Sequence, residues 1–235
     1  ATSRLRNPEA ATGRRAGMGF SWEAYYDGGD WDRGAYVGGD DMAAHLGAFL
    51  DHVGDVETVA SVGCGPAAAE FDVAAARPSV SFACYDAAPA VVDANREKAD
   101  HEGVENVTFD VATLPDTGID REFDVVYCMA VLYFVPDAEA ALRELWRLTA
   151  PGGALAFTYP NRNMRSWAQG LADDDHEKRE AFSLVADGEN LLTYDRIHGV
   201  LDHYPRNYWT AVDADPDADY VQRSGSPAVY VRKPE

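Results

Sequence analysis

The sequence predicts an α/β protein with a doubly wound, largely parallel sheet and helices on both faces. Three observations support this fold class. Apolar strand-like runs alternate with helix-like segments from residue 56 to residue 160, as in a sheet with crossover helices. The run Phe123–Cys128 is almost continuously apolar, as expected for a strand covered on both faces. A chain of 235 residues with 46% hydrophobic composition can also bury one large core.

The first strand, over residues 59–62, leads into a turn that suits ligand binding. Gly63 and Gly65 can adopt backbone angles closed to other residues and let an adenosine moiety approach the main chain. Pro66 favours the first position of a helix, which we predict over residues 66–77. A Gly-x-Gly turn between strand and helix is also common as a compact connection, so the turn alone leaves both interpretations open.

An acidic residue downstream favours the ligand-binding interpretation. Residues 80–85 form a second strand candidate that ends in Asp86, about 20 residues after the turn. A carboxylate at the carboxyl end of the neighbouring strand can accept hydrogen bonds from two ribose hydroxyls. The turn and the acid together therefore predict an adenosine-containing cofactor.

The next segments have clear boundaries. A proline begins and Gly103 ends a helix over Pro89–Glu102. A short strand over residues 106–110 and the strand Phe123–Cys128 follow. Asp137 is expected to cap a helix that the Pro-Gly-Gly sequence at 151–153 ends, before a strand over residues 154–159.

The tail departs from this alternation. Residues 164–170 form a helix-like piece, and the charged run 173–180 is typical of a solvated helix start that continues to residue 185. Tyr194–Leu201 is predicted to be a helix. Residues 207–212 and 228–231 are predicted to be two strands that pair antiparallel, because no helix is expected between them.

The N-terminal part divides in two. Residues 1–17 are basic and lack apolar periodicity, which predicts a disordered arm and makes Met18 a candidate native start. Residues 20–36 are rich in aromatic side chains, Tyr26 among them, and either cover a ligand pocket as a lid or pack against the domain edge. Asp40 and Asp41 are then expected to cap an amphipathic helix that should end near Gly54.

The charge limits the partners. Forty acidic against twenty basic residues give a formal net charge of −20, which repels nucleic acid and acidic membranes. The excess of acids and the near absence of lysine resemble proteins of salt-loving cytoplasms, where salt screens self-repulsion, although an ordinary solvated acidic surface has the same composition. Without a membrane-spanning run or a signal-peptide pattern, we expect a soluble cytoplasmic protein.

The metal-ligating residue types form no recognisable site. Cys64, Cys84 and Cys128 are far apart in sequence, and we interpret them as small buried residues rather than ligands or disulfides. The six histidines have no partners at metal-ligand spacing and are assigned to the core or the surface. No metal is therefore predicted.

Several segments in order resemble class I S-adenosylmethionine (SAM)-dependent methyltransferases of the small-molecule kind, similar to methyltransferase types 11 and 12. The resemblance spans about residues 40 to 160 and implies a Rossmann-like, seven-stranded sheet with an antiparallel last strand. It also implies one domain over residues 18–235: an N-terminal lid and helix (18–55), a SAM-binding core (56–160), a substrate-side insertion (161–190), and a C-terminal helix and strand pair (191–235). The matching segments are Val62-Gly63-Cys64-Gly65, Tyr85-Asp86, Phe109-Asp110, Phe123-Asp124-Val125-Val126, the run 130–137, and the run 147–153 with its Pro-Gly-Gly turn.

The resemblance also implies roles for individual residues. Gly63, Cys64 and Gly65 would face the methionine part of SAM, Asp86 and Ala87 the ribose, and Asp110 and Val111 the adenine edge. Cys128, Met129 and Ala130 would line the floor beneath the sulfonium. The family often has an acid where this chain has Ser61, and often a third glycine where it has Ala67. We expect these departures to weaken SAM binding without abolishing it.

The acceptor would be a small molecule with an oxygen, nitrogen or sulfur nucleophile, and the product of SAM would be S-adenosylhomocysteine (SAH). Candidate substrate residues are Tyr26, Tyr133, Tyr159, Asn161 and Arg162, and no catalytic base is assigned. Two alternatives stay open: a SAM-binding sensor or partner subunit without catalysis, and a nicotinamide-dependent oxidoreductase. The short-chain form of the oxidoreductase is disfavoured, because no lysine has a tyrosine four residues before it.

Overall fold

The structure is a computed structural model that describes residues 41–222, 224–225 and 227–235. The predicted arm at 1–17, the aromatic stretch with Tyr26, and Asp40 lie outside the described residues. None of the described helices is long and apolar enough to cross a membrane.

Seven strands form one sheet in the order β3-β2-β1-β4-β5-β7-β6. β1 to β5 pair in parallel, whereas β7 runs antiparallel to both β5 and β6. The predicted fold class, with its antiparallel last strand, is confirmed. The strands are β1 (Thr58–Val62), β2 (Ser81–Asp86), β3 (Val107–Val111), β4 (Phe123–Cys128), β5 (Thr149–Thr158), β6 (Arg206–Asn207) and β7 (Ala228–Arg232).

Helices connect the strands and cover the sheet. Three of them reproduce the sequence prediction closely: α1 with its five apolar-face residues buried, α3 with Gly103 in the left-handed conformation at its end, and α8. The described helices are α1 (Met42–Val53), α2 (Ala68–Ala76), α3 (Pro89–Glu102), α4 (Ala138–Leu148), α5 (Arg162–Gln169), α6 (His176–Ala181), α7 (Ser183–Asp187), α8 (Tyr194–Leu201), α9 (Tyr208–Ala211) and α10 (Asp219–Gln222).

The sheet separates two hydrophobic cores. One face packs against α1, α2, α3 and α9, with Phe49 and Tyr208 fully buried at its centre. The other face packs against α4 and α8 around Phe123, Leu142 and Phe157. Full burial of a large apolar side chain contributes roughly 1.5–3 kcal/mol, so these two layers supply most of the stabilisation of the fold.

The helix after the glycine turn begins later than predicted. Pro66 lies in the turn rather than at the first helical position, and α2 starts at Ala68. Ala67 adopts the left-handed conformation (φ 52°) at the N-cap. The chain therefore needs two further residues to turn from the strand axis into the helix.

The Pro-Gly-Gly sequence does not separate α4 from β5 as predicted. The helix ends at Leu148, and β5 already begins at Thr149, which pairs with Phe123. The register then shifts, so that Val125 pairs with Ala154. The residues between form an irregularity inside the strand, where a Cβ on Gly153 would lie 2.6 Å from the Asp124 carbonyl oxygen.

The predicted strand over residues 207–212 is mostly wrong. Only Arg206–Asn207 is extended, and Asn207 caps the short helix α9 by accepting a hydrogen bond from the Thr210 N–H. α10 lies in the predicted loop as well, so two short helices separate β6 from β7. The predicted antiparallel pairing of these strands is nevertheless confirmed.

Candidate functional site

The predicted cofactor residues converge on one edge of the sheet. β1, β2, β3, β4 and β5 are parallel, so their carboxyl ends meet at the same side. From β1 the chain adds strands outward through β2 to β3, and it then returns to the other side of β1 and continues from β4 to β5. Ligands of open α/β sheets bind in the crevice beside such a switch point, which here lies between β1 and β4. The groups at these strand ends are Gly63, Asp86, Val111, Met129 and Tyr159.

The glycine turn is fixed against the end of β2. The N–H groups of Gly63 and Cys64 both donate to the Tyr85 carbonyl oxygen, at 2.7 and 3.0 Å. Gly63 has a φ of 75°, and a Cβ at this position would lie 2.3 Å from Val131 Cγ2. Only glycine meets both requirements, because its lack of a Cβ permits the angle and the close contact.

The peptide groups of Gly65 are held from two sides. Its N–H donates to Asp86 Oδ2 at 2.9 Å, and its carbonyl oxygen accepts from Asn95 Nδ2 at 2.7 Å. Asn95 is buried on α3 and was missed by sequence reasoning. The available signal was a polar residue among Val91, Val92 and Ala99 on the buried face of the helix.

Asp86 is only 7% exposed. Burial raises the pKa of its carboxyl group, while backbone N–H groups of Ala88, Gly65 and Ala87 partly lower it. Oδ1 accepts from Ala88 N at 3.0 Å and Oδ2 from Gly65 N. A carboxylate has about four acceptor sites, so Asp86 retains capacity for a further donor beside its three backbone partners.

A second buried carboxylate lies under the turn. Ser61 on β1 donates its hydroxyl to Glu70 Oε1 at 2.6 Å, and both residues are buried. Burial raises the pKa of Glu70, which the hydrogen bond from Ser61 and the residue's own backbone N–H partly lower. Sequence reasoning noted the missing acid at Ser61 but did not find Glu70, which comes from α2.

The end of β3 presents an apolar side chain beside Asp86. Val111 is 49% exposed and stands opposite Asp86 in the strand register. The side chain of Asp110 instead forms an exposed ion pair with Arg96 Nη2 at 2.8 Å. Such a surface pair contributes little to stability, so it leaves the Asp110 carboxylate available to a ligand.

The end of β4 is shaped by backbone rather than by the cysteine. Cys128 is fully buried in the core, and burial strongly raises the pKa of its thiol, so only its backbone can face a ligand. Met129 and Ala130 are partly exposed. Ala130 has a φ of 58°, and its N–H donates to Thr158 Oγ1 at 2.7 Å. All three cysteines are free and buried, which confirms their interpretation as core residues.

The predicted substrate residues lie in different environments. Tyr133 is buried in an aromatic cluster with Phe134 and Phe182, and Tyr159 is buried with its pKa raised by burial. Asn161 caps α5 and donates to the Ser224 carbonyl oxygen at 2.6 Å, whereas Arg162 is exposed. Tyr26 lies outside the described residues.

Asn190 fixes the loop that follows β4, which we call the acceptor loop (residues 129–136). Its buried amide Nδ2 donates to the carbonyl oxygens of Leu132, Tyr133 and Val135, at 3.0, 2.8 and 3.3 Å. The chain positions joined by these bonds are more than 50 residues apart, and no local pattern marks Asn190. Sequence reasoning therefore missed it.

Among the described residues, the histidines form no metal site. His45 Nε2 lies 2.9 Å from the Tyr220 hydroxyl, which donates to Asp41 Oδ2 at 3.1 Å. Asp41 therefore accepts from Tyr220 and makes no side-chain cap bond to α1, contrary to prediction. Within residues 41–222, 224–225 and 227–235, no cluster of three metal-ligating side chains occurs.

Sequence comparison identifies relatives for part of the chain. A family model described as a methyltransferase domain matches residues 55–199. A ubiquinone biosynthesis O-methyltransferase of Idiomarina loihiensis is 39% identical over 54 residues, which are 23% of this chain and 22% of that protein. A trans-aconitate 2-methyltransferase of Methylobacterium radiotolerans is 31% identical over 43% of this chain and 36% of its own length. The chain thus matches less than two thirds of these curated relatives.

Solved structures share the fold. A magnesium protoporphyrin IX methyltransferase from Synechocystis, with bound SAH, superposes with a TM-score of 0.58 at 16% identity and 84% coverage of both chains. A SAM-dependent methyltransferase from Clostridium acetobutylicum gives a TM-score of 0.59 at 12% identity, covering 90% of this chain and 97% of its own. At these identities the likeness describes the fold alone.

Proposed function

Because the chain belongs to the class I SAM-dependent methyltransferase family, we propose that it transfers a methyl group from SAM to an oxygen, nitrogen or sulfur atom of a small molecule. The observation that carries this proposal is the geometry at Gly65. Its peptide groups are held by Asp86 and Asn95 at the carboxyl edge of the sheet, beside the exposed side chain of Val111. A rigid turn, a buried carboxylate and an apolar surface fit a nucleoside.

The described residues suit the parts of SAM in turn. Asp86, which retains acceptor capacity beside its backbone partners, would receive the ribose hydroxyls, with Ala87 alongside. Val111 would pack against the adenine ring, and Asp110 would accept from its amino group. The backbone of Gly63 to Gly65 would face the methionine part, and Met129 and Ala130 with the Cys128 backbone would lie beneath the sulfonium.

The acceptor would bind between the acceptor loop and the segment over residues 161–190. Asn190 and Thr158 hold the acceptor loop in one conformation, which is needed to present a nucleophile in line with a methyl group. Tyr133, Tyr159, Asn161 and Arg162 remain candidates for this side, and Tyr26 is a candidate from outside the described residues. The curated relatives are named for O-methylation in ubiquinone biosynthesis and for trans-aconitate methylation, which makes phenols and polycarboxylic acids the first acceptors to test.

Positioning of the nucleophile against the methyl group supplies most of the expected rate acceleration. The sulfonium of SAM already activates the methyl group, so the protein chiefly needs to hold the nucleophile about 3 Å from it, and alignment of this kind contributes several kcal/mol. Burial raises the pKa of Tyr159, so its phenol stays protonated and can orient an acceptor as a hydrogen-bond donor. A side chain that removes a proton is not required for this chemistry.

The test is turnover. The purified protein is incubated with SAM and a pool of phenols, polycarboxylic acids, amines and thiols, and SAH formation and methylated products are followed by mass spectrometry. We expect acceptor-dependent SAH and a product one methyl group heavier. Binding of SAM without turnover in any pool would favour a SAM sensor, and tighter binding of a nicotinamide dinucleotide than of SAM would overturn the proposal.

A further inference from the structure

The carboxylate of Glu70 is incompletely paired. Oε1 accepts from Ser61, whereas Oε2 is buried and has no hydrogen-bond partner. Glu70 is 4% exposed, and among the described residues no lysine, arginine or histidine forms an ion pair with it. A buried carboxylate oxygen without a partner is rare in native structures, and it calls either for protonation of the group or for a partner that the described residues do not supply.

The position of this carboxylate suggests the partner. Ser61 precedes the glycine turn by two residues, and Glu70 stands in the first turn of the helix that leaves it. Their hydrogen bond joins the two ends of the turn, so the free oxygen lies at its base. The aromatic residues Tyr127 and Tyr208 lie on the same core face and bring no positive charge.

We propose that Glu70 is a cofactor-recognition residue whose free oxygen pairs with the α-ammonium of the methionine part of SAM. This inference rests on the proposed function and adds a residue to it. Of the cationic groups in SAM, only the α-ammonium has N–H groups that can donate a hydrogen bond to a carboxylate. Charge-assisted hydrogen bonds of this kind are roughly twice as strong as neutral ones.

Protonation supports this pairing. Burial raises the pKa of Glu70 in the free protein. An ammonium beside the carboxylate would lower that pKa again, because an opposite charge favours the ionised form. Binding of the ammonium should therefore release protons from Glu70 at pH values near its raised pKa.

The test compares two ligands that differ only at the amine: SAH and its deamino analogue, in which hydrogen replaces the α-amino group. Glu70→Gln keeps the acceptor for Ser61 but removes the charge. We expect this variant to bind SAH at least about tenfold more weakly, and the deamino analogue within twofold of the unsubstituted protein. Ser61→Ala is the matched control, since it removes the bond between the ends of the turn but keeps the carboxylate, and it should affect both ligands alike.

Equal losses for both ligands in Glu70→Gln, or no loss for either, would overturn the proposal and leave Glu70 as a structural bond of the turn. If Glu70→Gln does not fold, calorimetry of the unsubstituted protein in buffers of different ionisation enthalpy decides the question. Proton release should accompany SAH and exceed that for the deamino analogue, and equal release would contradict the proposal. A protein that binds no SAH at all would overturn the proposed function itself.

Discussion

Two asparagines show how differently two parts of the domain are held. We call residues 56–111, around the glycine turn, the cofactor half, and residues 129–136 with 161–190 the acceptor half. Asn106 Nδ2 donates to the carbonyl oxygens of Ala74, Arg77 and Val80, and so fixes the connection from α2 to β2 in the cofactor half. Asn190 makes the same three-carbonyl arrangement with the acceptor loop. The chemistry is identical, but the first joins positions 26 to 32 residues apart and the second joins positions 55 to 58 apart.

The bonds at Gly65 and at Asn161 show the same difference. In the cofactor half, the bonds that hold Gly65 link positions 21 and 30 residues apart. In the acceptor half, Asn161 reaches Ser224 across 63 residues. Short-range bonds fix the turn to which we assign SAM, whereas long-range bonds hold the segments to which we assign the acceptor.

Replacing Gly63 by alanine should give the largest effect, because it tests the contact where the halves meet. The Cβ would lie 2.3 Å from Val131 Cγ2, and φ is 75°. We expect a loss of about 2–4 kcal/mol in the free energy of unfolding, from backbone strain and overpacking, together with loss of SAM binding. Urea unfolding and calorimetric SAM titration measure the two effects.

The control for that substitution is Gly103→Ala. Gly103 has a φ of 68°, but a Cβ there would meet nothing within 4 Å. Its replacement should cost only the strain of the left-handed conformation, about 1 kcal/mol, and leave SAM binding unchanged. Equal losses in the two variants would mean that Val131 yields and that the halves are not sterically coupled.

Asn190→Ala and Asn106→Ala sharpen the comparison at a smaller magnitude. Each substitution leaves three carbonyl oxygens without their donor, and each should lower the free energy of unfolding by about 1–3 kcal/mol. Of the two, only Asn190→Ala should lower the rate of methyl transfer, because Asn190 bonds the acceptor loop and Asn106 does not. A comparable loss of turnover in Asn106→Ala, with SAM saturating, would remove the distinction between the halves.

The pH dependence of SAM binding should identify Asp86. Its raised pKa means that the free protein protonates this carboxyl more readily, and the neutral form is a poorer acceptor for the ribose hydroxyls. SAM affinity should therefore fall, by about tenfold, as the pH is lowered through that pKa, and Asp86→Asn should flatten this part of the curve.

The pH dependence of folding stability that comes from Asp86 has the opposite sign to that of SAM binding. A carboxyl group whose pKa is raised in the folded state contributes stability that is fully present below its unfolded pKa and is lost as the pH rises through the folded value. Lowering the pH should therefore weaken SAM binding, whereas the contribution of Asp86 to the free energy of unfolding should become more favourable. Parallel pH series of calorimetric binding and urea unfolding test this opposition, and parallel trends would contradict it.

Ala67→Gly should have the smallest effect. Ala67 is buried with a φ of 52°, so glycine relieves left-handed strain but removes a packed methyl group and raises the entropy of the unfolded chain. We expect these terms to offset one another to within about 1 kcal/mol in the free energy of unfolding. An affinity gain in SAM titration above threefold would show that the methyl group narrows the turn, as the resemblance to the family's third glycine implies.

The cofactor half could be predicted from the sequence because its signals are local. The strand run, the two glycines and Asp86 each follow from nearby residues, and α3 was predicted with its correct bounds. The positions of Asn95 and Glu70 could not be predicted, since a polar residue on a buried helix face shows its partner only once the sheet is assembled. The strand prediction for residues 207–212 was wrong for a related reason. β-branched and aromatic residues favour a strand, but the cap from Asn207 stabilises a helical turn instead.

The contact between Val131 and Gly63 has an evolutionary consequence. A new acceptor usually demands a reshaped loop, but any larger side chain at position 131 would press on a backbone that has no room to retreat. We therefore expect substrate range to diversify first in residues 161–190, which Asn161 ties to Ser224 and Asn190 ties to the acceptor loop, because insertions there change the pocket without reaching the turn. Directed-evolution libraries aimed at residues 161–190 should yield more folded, SAM-binding variants than libraries aimed at Val131.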